Sequence, residues 1–127
     1  MAVISVSIDG ETLKAADEAI RVAGFRNRSD LFRKGVKEVA AEVRRGAGLG
    51  KEASCVLVMV HEERHEAGIT PLKHEFEDVI AMQTHSKLDE KNCLEIFVLK
   101  GNGKRIGEFA NRARADKRMG YVKLVAP

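Results

Sequence analysis

The chain has 127 residues, of which 44% are hydrophobic and 32% charged, and its formal net charge is +3. This length suits one ordinary domain or two very small ones, and the slightly basic balance is compatible with nucleic acid binding without being diagnostic. No apolar run approaches the roughly 20 residues of a membrane span, the N-terminus lacks the regions of a signal peptide, and a pair of cysteines makes no disulfide framework, so a cytoplasmic protein without a membrane partner is expected.

The first predicted element is a strand. In VISVSI, residues 3–8, the side chains alternate strictly, which is typical of a strand with one buried face. The opposite face carries Val3, Ser5 and Ser7. If a second strand paired with this one, that face would form the outer surface of a ribbon narrow enough for the DNA major groove. The alternative interpretation is an ordinary solvated strand face.

Two short helices are predicted next. The first begins after Asp9 and ends at Gly24, and the second begins after Asn27 or Ser29. One strand and two helices cannot close a core in about 45 residues. We therefore expect an obligate homodimer, in which the strands of two chains pair antiparallel and four helices intertwine beneath them.

The N-terminal stretches VISVSIDGETL and GFRNRSDLFRKG resemble a ribbon-helix-helix repressor domain. The resemblance implies that Val3, Ser5 and Ser7 face the bases. It also places Asn27, Arg28 and Ser29 at the start of the second helix, where free amide groups and an arginine can hold a phosphate. Ser29 can equally be an ordinary helix cap.

The second half alternates strands and helices after a glycine-rich linker. Strands are predicted at 55–60, 80–86, 93–101 and 119–126, and helical segments at 61–79 and 104–117. This order predicts an α+β protein whose C-terminal domain is ferredoxin-like, βαββαβ. The predicted boundaries are 1–46 for the ribbon-helix-helix domain, 47–53 for the linker and 54–127 for the second domain.

The two halves together, with CLEIFVLKG at 93–101 and the GY pair near the end, resemble the nickel-responsive transcriptional regulator family. The resemblance implies an ACT-type sensor domain that joins two dimers into a homotetramer. It also implies a square-planar nickel site between subunits. One subunit would supply His74, and the other would supply His85, Cys93 and the residue at position 87, which here is Lys87.

Lysine departs from that ligand set. Positions 85 and 87 share one face of a strand, so the spacing suits two ligands, and imidazole and thiolate suit nickel. A protonated lysine has no lone pair to donate. Nickel binding is therefore expected to be weakened or lost. Taken singly, the three other residues have ordinary interpretations: a solvated helix histidine, a polar strand residue and a small buried cysteine.

Further positions bear on the function. His61 and His65 could supply a replacement ligand, although a solvated pair is the preferred interpretation. Val3 stands where the family usually has arginine, so a different operator is expected. Lys34 stands where the family tends to have an acid that helps to hold a second cation, which suggests the hypothesis that fixed positive charge has replaced bound cations.

We therefore predict a DNA-binding transcription regulator. The alternative is a small-molecule-sensing or antitoxin-like DNA-binding module without metal regulation. An enzyme is not expected, because no nucleophile–base pair or phosphate-binding loop stands out.

Overall fold

The computed structural model describes residues 1–126 and divides the chain into two compact units, one from Met1 to Ala41 and one from Glu42 onward. The boundary between the units falls inside a helix. None of the helices in the described part of the chain is both long and apolar enough to cross a membrane.

Both helices predicted for the N-terminal half are formed, and the second continues past the end of the N-terminal unit. Helix α1 spans Gly10–Ala23, begins where the Asp9 carboxylate accepts a hydrogen bond from the Thr12 amide at 2.7 Å, and ends at Gly24 in the left-handed region, φ 76°. Helix α2 spans Arg28–Ala47. The Asn27 side chain accepts a hydrogen bond from the Asp30 amide at 2.8 Å, so Asn27 caps α2.

The predicted N-terminal strand is not formed in the single chain, where residues 1–9 have no regular secondary structure. Ile4 and Val6, on the face predicted to be buried, are 82% and 70% exposed. A strand is stabilised by hydrogen bonds to a neighbouring strand, and residues 1–126 of a single chain offer none to this segment. The ribbon-helix-helix domain is therefore not evident in the described single chain.

The C-terminal unit has the predicted ferredoxin-like fold. Its strands are β1 (Ala53–Glu62), β2 (Ile80–Lys87), β3 (Asn92–Gly101) and β4 (Met119–Val125), and its α-helices are α3 (Glu66–Glu75) and α4 (Gly103–Ala115). The sheet is antiparallel with the order β2-β3-β1-β4. Short 3-10 segments, Glu63–His65 and Glu77–Val79, flank α3.

One boundary in this unit was predicted wrongly. The helical segment expected from residue 61 begins later, because β1 continues to Glu62 and His61 is paired with Cys93 of β3. The α-helix itself starts at Glu66 and includes Pro71. His61 is therefore a strand residue.

The core lies between one face of the sheet and helices α3 and α4. Alternate residues of β1 and β3, among them Leu57 and Phe97, are fully buried on this helix-covered face. Phe109 of α4 stacks on Phe76 at a centroid distance of 4.9 Å and meets Phe97 edge-on at 5.5 Å. The opposite face, which carries Val58 and Ile96, is only partly buried.

Candidate metal centre

The predicted strand ligands lie on the helix-covered face, at the end of the sheet near the β2–β3 turn. Lys87 of β2 is directly opposite Cys93 of β3, and His85 is opposite Glu95. On the other side of Cys93, β1 contributes His61. Since directly opposed residues of an antiparallel pair point to the same face, these five side chains share one surface.

Lys87 is held by an acidic partner. Its Nζ lies 2.9 Å from Glu63 Oε2. The hydrogen bond from the ammonium to Glu63, and the negative charge of that carboxylate, raise the pKa of Lys87 above its ordinary value. The side chain therefore stays protonated at neutral pH and offers no lone pair to a metal.

Cys93 is buried beside Lys87. Burial raises the pKa of the Cys93 thiol, and the negative charges of Glu63 and Glu66 add to that effect more than Lys87 opposes it. The thiol thus keeps its proton at neutral pH unless a metal displaces it.

The two histidines of the predicted set are in different surroundings. His74 is in the last turn of α3, is exposed and contacts Glu77 through its Nδ1. His85 is exposed on β2, and its ring is 6.3 Å from that of His61, edge to face. The structure thus brings His85, Lys87 and Cys93 to one surface, whereas the predicted role of His74 lies in a contact with another subunit.

Within the described residues, the group of donors close enough to hold one ion is a different one: His61, Glu66 and Glu95. Glu95 Oε2 lies 2.7 Å from His61 Nε2, and Glu66 Oε2 lies 3.0 Å from the same nitrogen. The other oxygen of each carboxylate accepts a hydrogen bond from Lys73 Nζ, at 2.8 Å from Glu95 and 2.6 Å from Glu66. Gln83 Nε2 also donates to Glu95 Oε1, at 2.9 Å.

The charges in this group are mutually stabilising. Burial alone would raise the pKa of Glu95, but the hydrogen bond from Lys73, the contact with His61 and the positive charge of Lys73 together outweigh it and hold the pKa below its ordinary value. Burial alone would lower the pKa of Lys73, and Glu66 and Glu95 outweigh it in turn. A buried carboxylate and a nearly buried ammonium therefore both remain ionised.

Most residues of the group formed by His61, Glu66, Glu95 and Lys73 were not predicted from the sequence. His61 was interpreted as half of a solvated pair, and that interpretation is wrong, because His61 is 1% exposed. The alternation of β1 and β3 contained the signal, since His61 is in phase with the buried Met59, and Glu95 is in phase with the buried Phe97. No comparable signal marked the partners supplied by α3.

The residues predicted to contact DNA are solvent-exposed. Val3, at the start of the N-terminal segment, is 93% exposed, and Ser5 and Ser7 are exposed with it. Arg28 makes two parallel hydrogen bonds of 3.0 Å each to the Asp17 carboxylate. Ser29 is exposed beside the Asn27 cap.

Lys34 is also engaged. Its Nζ is 3.2 Å from Oδ2 of the buried Asp30, one turn earlier in α2, and lies over the ring of Phe25.

The fold and the clustered donors define the class of protein. It is an α+β chain in which two helices precede a ferredoxin-like domain, and this domain carries side chains of metal-binding types at one end of its sheet. Comparison with known proteins identifies the family within this class. Residues 54–126 match the family model described as NikR C terminal nickel binding domain.

Full-length relatives agree with the family model. A protein of Methanopyrus kandleri named "Putative nickel-responsive regulator" is 31% identical over 122 residues, covering 94% of this chain and 86% of the relative. One of the same name from Pyrococcus abyssi is 34% identical over 125 residues, covering 95% and 89%. The chain therefore belongs to the nickel-responsive regulator family.

A solved structure supports the fold alone. An uncharacterized protein from Thermotoga maritima superimposes with a TM-score of 0.54 at 22% identity, over 59% of this chain and 96% of that one.

Proposed function

We propose that this chain is a sequence-specific DNA-binding transcription regulator, a dimer of ribbon-helix-helix dimers, in which the nickel site of the family is degenerate. The observation that carries the loss of the nickel site is the ion pair of Lys87 with Glu63. Lys87 is a protonated side chain directly opposite Cys93, at the position where the resemblance requires a metal ligand. Membership in a family of proteins named as regulators supports the regulatory part.

The N-terminal segment supports the dimer. Residues 1–9 carry an alternating pattern but pair with no strand in the described part of the chain, and α2 leaves Val36 and Val39 of its apolar face exposed. A second copy of the chain would satisfy both, because the segments could pair antiparallel while the helix faces cover one another. Ser5 and Ser7 would then lie on the outside of the ribbon.

The C-terminal unit supports the higher assembly. The face of its sheet away from α3 and α4 presents partly exposed apolar side chains of β1 and β3, and Met82 beside them is exposed. Contiguous apolar surface of this kind marks protein–protein contact. Association of two such domains would join two dimers into a tetramer.

The start of α2 supports a phosphate contact. Asn27 caps the helix by accepting the Asp30 amide, so the amides of Arg28 and Ser29 remain available to an anion at the positive end of the helix. Arg28 would exchange its Asp17 carboxylate for a DNA phosphate. Such contacts fix the position of the protein, whereas contacts from the ribbon specify the sequence.

We call the nickel site implied by the resemblance, at His74, His85, Lys87 and Cys93, the family site. In this chain its residues do not supply four donors for a square-planar nickel ion. Lys87 is protonated and paired with Glu63, and the Cys93 thiol holds its proton. Fixed positive charge at Lys87 and at Lys34 stands where the resemblance implies bound cations. We propose that nickel affinity at this site is reduced or lost, and that nickel does not control DNA binding through it.

A cavity favours the alternative of a small-molecule-sensing module. A space of about 430 Å³ lies in the C-terminal unit, lined by residues that include Leu49, Asn111, Arg114 and the carboxylate of Glu42. Small-molecule sites are typically of this size. A bound metabolite, rather than a metal, would then be the effector.

The test is selection of bound fragments from genomic DNA, with and without added nickel. We expect one enriched sequence motif, equally enriched in both conditions. Ser5→Ala and Ser7→Ala should lower affinity for that motif more than for random DNA, whereas Arg28→Ala should weaken both alike and flatten the salt dependence. An unchanged specific-to-random ratio in the serine variants would exclude the ribbon as the reading element.

A further inference from the structure

The buried histidine of the C-terminal unit has a fixed tautomer. His61 Nδ1 is 2.8 Å from the carbonyl oxygen of Glu62. A carbonyl oxygen can only accept, so Nδ1 carries a proton and donates it. The lone pair of a neutral His61 is therefore on Nε2, which faces Glu66 and Glu95. Metal-binding histidines are typically oriented in this way, by a hydrogen bond from the other ring nitrogen.

Three acceptor atoms meet at this point. Nε2 is 2.7 Å from Oε2 of Glu95 and 3.0 Å from Oε2 of Glu66. The Glu66 oxygen is buried and has no hydrogen-bond partner in the described chain. Three electron pairs that face one another at such distances repel unless a proton or a metal cation lies among them.

Lys73 does not fill that position. Its ammonium group contacts the opposite oxygen, Oε1, of each carboxylate. It thereby orients both carboxylates, with their Oε2 atoms turned towards His61. The two negative charges exceed the single charge of Lys73, so the arrangement attracts a further cation.

We propose that His61, Glu66 and Glu95 form a binding site for a divalent cation of the zinc, cobalt or nickel type within a single subunit, separate from the family site at His85 and Cys93. One imidazole and two carboxylates suit such ions, with water completing the coordination. Bonds of about 2.0–2.2 Å require donor atoms roughly 3.0–3.5 Å apart. The distances of 2.7 and 3.0 Å from His61 Nε2 to the two carboxylate oxygens therefore need to lengthen by less than about 1 Å. The site does not depend on the proposed DNA-binding function.

Cobalt(II) is the probe, because its visible absorption reports coordination by oxygen and nitrogen, and a near-ultraviolet charge-transfer band reports thiolate. The full-length protein is stripped with chelator, dialysed and titrated. We expect one cobalt per chain, visible bands without a thiolate band, and displacement by zinc.

The variants separate this site from the family site. Glu66→Gln, at the partly exposed position, should weaken cobalt binding at least about 10-fold, and Glu95→Gln should do the same. Cys93→Ser removes a donor of the family site only, and Glu90→Gln removes an exposed carboxylate of the β2–β3 turn. Both of these controls should bind as the wild type does. Circular dichroism in chelator verifies that each variant is folded.

Three results would overturn the proposal. Folded wild-type protein that binds no cobalt at about 100 μM would show that a proton holds the cluster together, with His61 as an imidazolium. Unchanged binding in folded Glu66→Gln would remove that carboxylate from the site. A thiolate band that disappears in Cys93→Ser would place the metal at the family site instead.

Discussion

Glu95→Gln tests whether the polar cluster of the C-terminal unit is a stabilising buried ion-pair network. Glutamine preserves the shape of Glu95 but removes its charge, and it offers one acceptor oxygen where the carboxylate offers two. Glu95 is 0% exposed and contacts His61, Lys73 and Gln83 at 2.7–2.9 Å. The amide group of the new side chain must also turn a donor towards one of these three partners.

The expected cost follows from these contacts. Removing one partner of a fully buried ion pair costs about 3–5 kcal/mol. Lys73 keeps its contact with Glu66 and is 12% exposed, so we take the lower end, about 3 kcal/mol. For a domain of this size, that loss corresponds to a fall in Tm on the order of 10–20 °C.

Urea unfolding in chelator at pH 7, followed by circular dichroism, measures the difference directly. The midpoint should fall without a change in the denaturant dependence, and Glu90→Gln, in the exposed turn, should leave it unchanged. A loss below about 1 kcal/mol for Glu95→Gln would refute the argument, because it would mean that the buried carboxylate is not needed by its partners.

The sign of the pH dependence provides a second check. The pKa of Glu95 is lowered from 4.5 in the folded state, so its contribution is complete above that pH. The contribution declines as the pH falls below 4.5 and is lost once the pH passes the lower folded pKa. The difference in stability between wild type and Glu95→Gln should therefore shrink in acid. A difference that grew below pH 4.5 would contradict the assignment.

Two further predictions concern the metal and the assembly. Lys87→His should raise nickel affinity at least about 100-fold in isothermal titration, since it adds a donor opposite Cys93 and removes a repelling charge. No gain in affinity would mean that the pocket as a whole, and not one ligand, differs from the nickel site of the family. Light scattering should return the mass of four chains, because both the N-terminal segment and the open sheet face require partners; a monomer at micromolar concentration would contradict the proposed architecture.

Periodicity was sufficient to predict the order of elements. Alternation in β1 and β3, and the capping residues of α1, depend on neighbours in sequence, so they were predicted close to where the structure has them. The N-terminal strand differs in kind. Its pattern is present in the sequence, but a strand requires a hydrogen-bonded neighbour, and the described single chain contains none for residues 1–9.

The polar cluster could be predicted only in part. Strand phase alone places His61 and Glu95 on the buried face. Glu66 and Lys73 reach them from α3, and their convergence depends on where that helix lies on the sheet, which no local pattern encodes. The family resemblance concerns Lys87 and Cys93, and it implies nothing about the carboxylates beside them.

The contrast between Lys87 and Glu95 bears on how such a regulator can diverge. Lys87 is exposed, so a new side chain there alters the donor set while the fold is retained. Glu95 is tied to His61 and Lys73, and a change in any one of the three leaves a buried group without its counterpart. Single substitutions at position 87 can therefore change which effector binds while the fold is retained. The buried trio can be replaced only by several substitutions together, because a variant with only one of them would fold poorly.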